Sequence, residues 1–243
     1  MGQTEQTSIQ AGQPAGEPGH AVEPRDPGQV GTGPSPSGAG EAANRSQTPG
    51  GRRIFQQLDT SADFPYSFSE YARKALWMAV HALLIRFGPP RSPGWYRFWL
   101  GLFGAKLAPT CKLRPSVKVR HPWLLEIGEH SVLGDDVEVY NLGPIRIGEH
   151  TVISQNTHLC NGSHDYRDPS LPLVRPKMEI GSGVWICADA FIGPGVSIGD
   201  NTLIGARSVV MRDVPPGVIA AGNLAQVVRD RPMPGIEGQE PAR

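Results

Sequence analysis

The chain has 243 residues, of which 39% are hydrophobic, and it is formally neutral with 23 basic and 23 acidic residues. That length holds one substantial domain with appendages, and the charge balance points away from a nucleic-acid polyanion as partner. Three cysteines, Cys111, Cys160 and Cys187, are an odd number without framework spacing, which excludes a secreted disulfide scaffold and fits a reducing compartment.

Residues 1–52 are rich in Gly, Pro, Ser, Gln, Glu and Thr and almost lack large apolar side chains. Such a stretch cannot bury enough surface to offset its ordering entropy, so a disordered low-complexity tail is predicted. Met1–Gln6 has neither the basic start nor the apolar core of a secretory signal, and Gln6 stands where a myristoylation pattern requires Ser or Thr.

Residues 53–104 are predicted to form a helical cap. One helix runs from about Ser69 through Arg86 and stops before Gly88-Pro89-Pro90. The uncharged run between Lys74 and Arg86 is far shorter than the roughly 20 residues that cross a bilayer. A second helix is expected from Pro93 to Phe103, carrying Trp95, Tyr96, Arg97, Phe98 and Trp99. Two readings stand for this region: the helices close the open end of a repeat core, or they make a peripheral membrane contact through residues 70–104.

The remainder, residues 105–243, is organised by a period of six. Ile180, Ile186, Ile192, Ile198 and Ile204 recur in step, with Val210 next. One residue after each isoleucine stand Gly181, Cys187, Gly193, Gly199 and Gly205, and four after stand Val184, Ala190, Val196, Thr202 and Ser208. A short strand, a tight turn and an inward aliphatic side chain every six residues describe a parallel β-helix, an all-β fold in which like positions stack coil upon coil. In this pattern Cys160 and Cys187 are small fillers at the second hexad position, neither nucleophiles nor metal ligands.

Hexads begin near Leu107 and continue through Leu113 and Val119. The register slips by two after Trp123, resumes at Ile127, Leu133 and Val139, slips by two again at Asn141-Leu142-Gly143-Pro144, and resumes at Ile147, Ile153 and Leu159. Ile127-Gly128-Glu129-His130 and Ile147-Gly148-Glu149-His150 are therefore expected at like positions on successive coils. Residues 165–179 hold no hexad and three prolines, and are predicted to be a stiff extruded loop, of a length that usually marks a functional element.

From about Phe103 to Arg229 the chain resembles the hexapeptide-repeat acyltransferases. The phrases that carry the resemblance are Tyr140-Asn141-Leu142-Gly143-Pro144, Gly162-Ser163-His164-Asp165-Tyr166, Ile180-Gly181-Ser182-Gly183-Val184-Trp185-Ile186 and Ala221-Gly222-Asn223. Within that family it is most similar to the colanic acid biosynthesis acetyltransferases, relatives of the maltose, galactoside and nodulation-factor enzymes. The resemblance implies a left-handed β-helix, a homotrimer with active sites between subunits, acetyl-CoA as co-substrate along the C-terminal coils and no metal. The reaction implied is O-acetylation of a sugar or polysaccharide precursor in the cytoplasm, at the inner face of the membrane in the second reading of the helices. His164 matches the family's catalytic histidine; the bland alternative is a loop histidine bonding a carbonyl. Asp165 either orients that imidazole or starts the turn into the loop. Asn141 matches an acceptor-binding asparagine, or is a turn residue. Trp185, Ala188, Ala206, Met211, Arg212 and Arg229 fall on positions that line CoA, and the two arginines suit its phosphates. Leu224 stands where the family has proline. Two rival functions are a zinc enzyme like the β-helical carbonic anhydrases and a catalytically idle scaffold.

Overall fold

The computed structural model describes residues 55–56, 66–85 and 93–233. The tail expected over 1–52 and the helix stop at Gly88-Pro89-Pro90 lie outside the described residues. From Lys106 onward the chain winds as a parallel β-solenoid with three faces. The first face stacks β1 (Lys106–Leu107), β4 (Leu125–Ile127), β7 (Ile145–Ile147), β12 (Met178–Ile180) and β15 (Ser197–Ile198). The second stacks β2 (Lys112–Leu113), β5 (Val132–Leu133), β8 (Val152–Ile153), β13 (Trp185–Ile186), β16 (Leu203–Ile204) and β18 (Val218–Gly222), and ends in the antiparallel β19 (Ala225–Asp230). The third stacks β3 (Lys118–Val119), β6 (Glu138–Tyr140), β9 (His158–Cys160), β14 (Phe191–Ile192) and β17 (Val209–Val210).

Each face sends one aliphatic file into the core. Ile127, Ile147, Ile180 and Ile198 are partners in register on the first face, Leu113, Leu133, Ile153, Ile186 and Ile204 on the second, and Val119, Val139, Leu159, Ile192 and Val210 on the third. All are buried. Burial of each is worth about 1.5–3 kcal/mol, so the three files are the main source of stability. The residue four positions on, Val184, Ala190, Val196, Thr202 or Ser208, is buried at each corner as the period requires.

Register spacing reproduces the slips. Leu133 pairs with Leu113 and Ile153, each twenty residues away, two more than three hexads. Ile186 pairs with Ile153 across thirty-three residues and with Ile204 across eighteen, so the long excursion adds fifteen residues to an otherwise regular coil. His130 and His150 stack with ring centroids 4.8 Å apart, as like positions should. At seven corners the third residue after the inward aliphatic turns with positive φ: His130, Asp136, His150, Asn156, Asp189, Asn201 and Arg207 do so at 53–60°. Six of these seven are His, Asp or Asn, the residues that tolerate the left-handed region best after glycine.

Two helices close the first coil. The first, α1 (Phe68–Val80), begins with a capping box in which Ser67 and Glu70 satisfy each other's backbone N–H groups, and it runs into a π-helical turn at His81–Ile85. The second is α2 (Pro93–Leu102), as the sequence predicted to within a residue. Trp77 Nε1–H donates to the Val119 carbonyl at 2.8 Å and the Tyr96 hydroxyl donates to the Val117 carbonyl at 2.6 Å. With Leu100 and Phe103 they extend the core beyond the last inward strand residues. Trp and Tyr suit this end of the core because each buries a large apolar body while its polar tip finds a carbonyl.

Candidate active site

All three insertions leave the solenoid at one edge, between the third and the first face. The largest opens as a hairpin of β10 (Ser163–His164) and β11 (Leu173–Val174), with Ser163 opposite Val174 and His164 opposite Leu173. The predicted structureless loop therefore has a short antiparallel stem. Its base is sewn to the coils by Asn161, which is fully buried. The Asn161 Nδ2 donates to the carbonyls of Pro144 and Pro176, both at 2.8 Å, and its Oδ1 accepts from Gly195 N at 3.2 Å. The return limb runs so close over Gly143 that a Cβ there would collide with the Pro176 carbonyl.

His164 stands exposed on the stem. Its Nδ1 lies 2.6 Å from the Leu171 carbonyl, an atom that can only accept, so Nδ1 carries a hydrogen and in the neutral ring the lone pair is on Nε2. The ring thus bonds a carbonyl and still presents a basic nitrogen outward; the two readings of this histidine are not exclusive. Asp165 is turned away from it. Its carboxylate accepts from Arg167 at Nε (2.9 Å), Nη2 (3.3 Å) and the backbone N (3.0 Å), and that hydrogen-bonded guanidinium holds the carboxyl below its ordinary pKa. Asp165 starts the turn, and the ring-orienting role belongs to the Leu171 carbonyl, an atom that no side-chain motif announces.

Asn141 requires a correction. Its side chain is wholly buried: Nδ2 donates to the His121 carbonyl at 2.6 Å, and Oδ1 accepts from His121 N at 2.9 Å. His121 returns the contact through Nδ1–H to the Asn141 carbonyl at 2.9 Å. Both amide ends are spent on the neighbouring coil, so Asn141 clamps a bulge and does not face an acceptor. Burial lowers the His121 pKa, and its Nε2 is buried without a partner.

The residues assigned to CoA divide between two edges. Trp185 is 44% exposed on the second face, with Nε1–H donating to Ser154 Oγ at 3.1 Å. Ala188 and Ala206 lie at the edge between the second and third faces, on adjacent coils, where Arg207 N bonds the Ala188 carbonyl at 2.9 Å. Arg229 is on β19 at the end of the second face, paired in register with Ile219. Met211 and Arg212 lie instead on the edge that bears His164, with Met211 beneath Gly193. Within one chain, then, His164 shares an edge with Met211 and Arg212 and is separated by the third face from Trp185, Ala188 and Ala206. A surface groove of about 650 Å³, lined by Arg146, Glu179, Ser182 and Asp200 among others, holds none of them. The peptide bond before Leu224 is cis.

Burial pushes the thiols of Cys111, Cys160 and Cys187 above their ordinary pKa, which keeps them protonated and agrees with their place as fillers. Among the described residues no group of three or more His, Cys, Asp or Glu side chains is disposed to hold a metal ion. His158, six residues before His164, lies edge-on between the rings of Tyr140 and Phe191 at 6.2 and 5.4 Å.

A three-faced parallel solenoid with one aliphatic file per face and an extruded, histidine-bearing loop defines a hexapeptide-repeat transferase, and residues 177–212 match the family description "Bacterial transferase hexapeptide (six repeats)". The chain is 44% identical over 156 residues to WcaF of Escherichia coli (strain K12), a candidate colanic acid biosynthesis acetyltransferase, covering 64% of this chain and 86% of that protein. A hexapeptide-repeat acetyltransferase of Vibrio cholerae O1 biovar eltor, solved in complex with acetyl-coenzyme A, superposes with a TM-score of 0.62 at 25% identity, over 72% of this chain and 96% of that one. A maltose O-acetyltransferase from Clostridium difficile 630 shares the fold at a TM-score of 0.62 and 22% identity, over 69% and 90% of the two chains. The chain belongs to the hexapeptide-repeat acetyltransferases, in the group that includes WcaF.

Proposed function

We propose that this acetyltransferase moves an acetyl group from acetyl-CoA to a hydroxyl of a sugar or polysaccharide precursor in the cytoplasm, with His164 as general base. The single observation that carries the reading is the fixed tautomer of His164: Nδ1–H is committed to the Leu171 carbonyl and Nε2 is free and exposed. Nε2 takes the proton as the hydroxyl oxygen forms its bond to the thioester carbonyl carbon. The carbon–sulfur bond then breaks, and the same proton passes to the departing thiolate. No covalent enzyme intermediate is needed.

The division of the cofactor residues between two edges supports a homotrimer. If neighbouring subunits appose the His164 edge of one to the Trp185 edge of the next, the base and the acetyl donor meet in the cleft between them. Trp185, Ala188 and Ala206 then flank the pantetheine arm, where small side chains let it lie against backbone, and Arg212 and Arg229 supply cations for the phosphates.

The test is thiol release from acetyl-CoA across a panel of sugars and nucleotide sugars, for the wild type and His164→Ala. Turnover that falls by about 10²–10⁴-fold in the variant while CoA binding survives supports the assignment. A wild-type protein that does not bind CoA overturns it in favour of an idle scaffold.

A further inference from the structure

Residues 71–125 contain ten of the chain's 23 basic residues and none of its 23 acidic ones. Its described residues, with Phe68–Glu70 before them, form one end of the molecule, made of α1, α2 and the first coil, in which Glu70 is the acidic side chain. In a neutral protein such a segregation makes the helical end cationic and leaves the rest of the chain with the acidic excess.

The same end carries an apolar surface that the other described residues leave uncovered. Helix α1 uses one side, through Trp77 and Val80, to close the core. A helix that packs by one face ordinarily turns a charged face to water. Here the opposite side presents Phe68, Ala72, Ala75, Leu76, Ala79 and Leu83, all exposed, and α2 does likewise with Phe98 and Leu102 at 59% and 64%. The described charged side chains of the two helices are turned back onto the body. Arg73 donates to the Phe103 carbonyl at 2.7 Å and lies over the Trp123 ring. Arg97 donates to the carbonyls of Pro109 and Cys111, Lys74 lies over Tyr66, and Glu70 pairs with Ser67 and Arg175. Behind this face, Lys106, Lys112, Arg114, Lys118 and Arg120 all point outward from the first coil. The acidic neighbours that three of them have on the second coil stand at 3.8–3.9 Å and are exposed, too weak to cancel them.

We propose that the helical end docks on an anionic phospholipid surface, with the outer sides of α1 and α2 in the headgroup layer and the first-coil cations against the lipid phosphates. No helix among the described residues is long and apolar enough to cross a bilayer, so the helices lie on the surface and do not span it. A charge-free apolar strip backed by a collar of lysine and arginine is the combination that anionic membranes select; a second copy of the same end would bring cations against cations.

The full-length protein is sedimented with phosphatidylcholine vesicles containing or lacking phosphatidylglycerol, at low and high salt. Binding is expected only with phosphatidylglycerol and weakens as salt rises. Lys112→Glu/Lys118→Glu should reduce the partition coefficient by at least about fivefold for each lysine reversed. Leu76→Glu/Phe98→Glu, two exposed positions, should abolish binding while circular dichroism and CoA binding stay unchanged, which separates this outcome from unfolding and from failure of the acetyltransfer reading. No sedimentation with anionic vesicles, equal binding to neutral ones, or a loss of self-association in Leu76→Glu/Phe98→Glu that shows the strip to be covered by a second copy would each overturn the proposal.

Discussion

Asn161→Ala isolates the amide that holds the base of the extruded loop. The native side chain makes three hydrogen bonds, to the Pro144 and Pro176 carbonyls and from Gly195 N. Pro144 keeps a second partner in Met178 N at 2.9 Å, so its carbonyl is not stranded. The Pro176 carbonyl and the Gly195 N–H lose a partner in a half-buried corner. At about 1 kcal/mol for each of the three bonds lost, the cost is about 3 kcal/mol. Urea unfolding measures it directly, and limited proteolysis between residues 165 and 175 reports whether the loop detaches. Asn161→Asp sharpens the test. It keeps the shape but turns a carboxylate oxygen toward two carbonyls, so it should destabilise at least as much as alanine. A shift below about 0.5 kcal/mol for alanine, or a harmless aspartate, would show that the position only fills space.

Asp165→Asn should lower kcat by less than about tenfold, because the Leu171 carbonyl and not this carboxylate holds His164; a loss near 10⁴-fold would mean the carboxylate orients the ring in the assembled enzyme. His121 and His81 both have pKa values lowered by burial, so below about pH 6.5 the unfolded chain binds protons that the folded chain refuses. Stability from both groups is full above that pH and is lost as pH falls toward their folded values. The urea midpoint should therefore drop between pH 7 and 5, with a shallower slope in His121→Gln.

The solenoid was legible because its period is a steric requirement: every sixth side chain must enter a narrow core, and in most coils glycine or another small residue follows it. The same logic was available one step further. His130, Asp136, Asn156, Asp189 and Asn201 are the third residue after an inward aliphatic, and their residue types alone mark left-handed corners. Asn141 shows where resemblance misleads and periodicity does not. His121, Asn141 and Asn161 each stand two residues after the inward aliphatic of the third face, at Val119, Val139 and Leu159, and so form one column. All three are buried, and each is spent on backbone at that edge. Reading Asn141 with its neighbours in the column would have placed it inside the wall and flagged Asn161, which motif reading passed over. The partner of His164 was beyond reach, because a backbone carbonyl seven residues away leaves no mark in side-chain identity.

All the extra residues of this solenoid leave from a single edge, two at a time or fifteen together, while the other two edges keep strict six-residue spacing throughout. The wall and the variable part of the molecule are therefore mechanically separate. An insertion, deletion or exchanged loop at that edge changes what stands around His164 without moving an aliphatic side chain in the core. The protein is in this respect a modular frame, in which one margin can be rebuilt while the rest of the wall stays as it is.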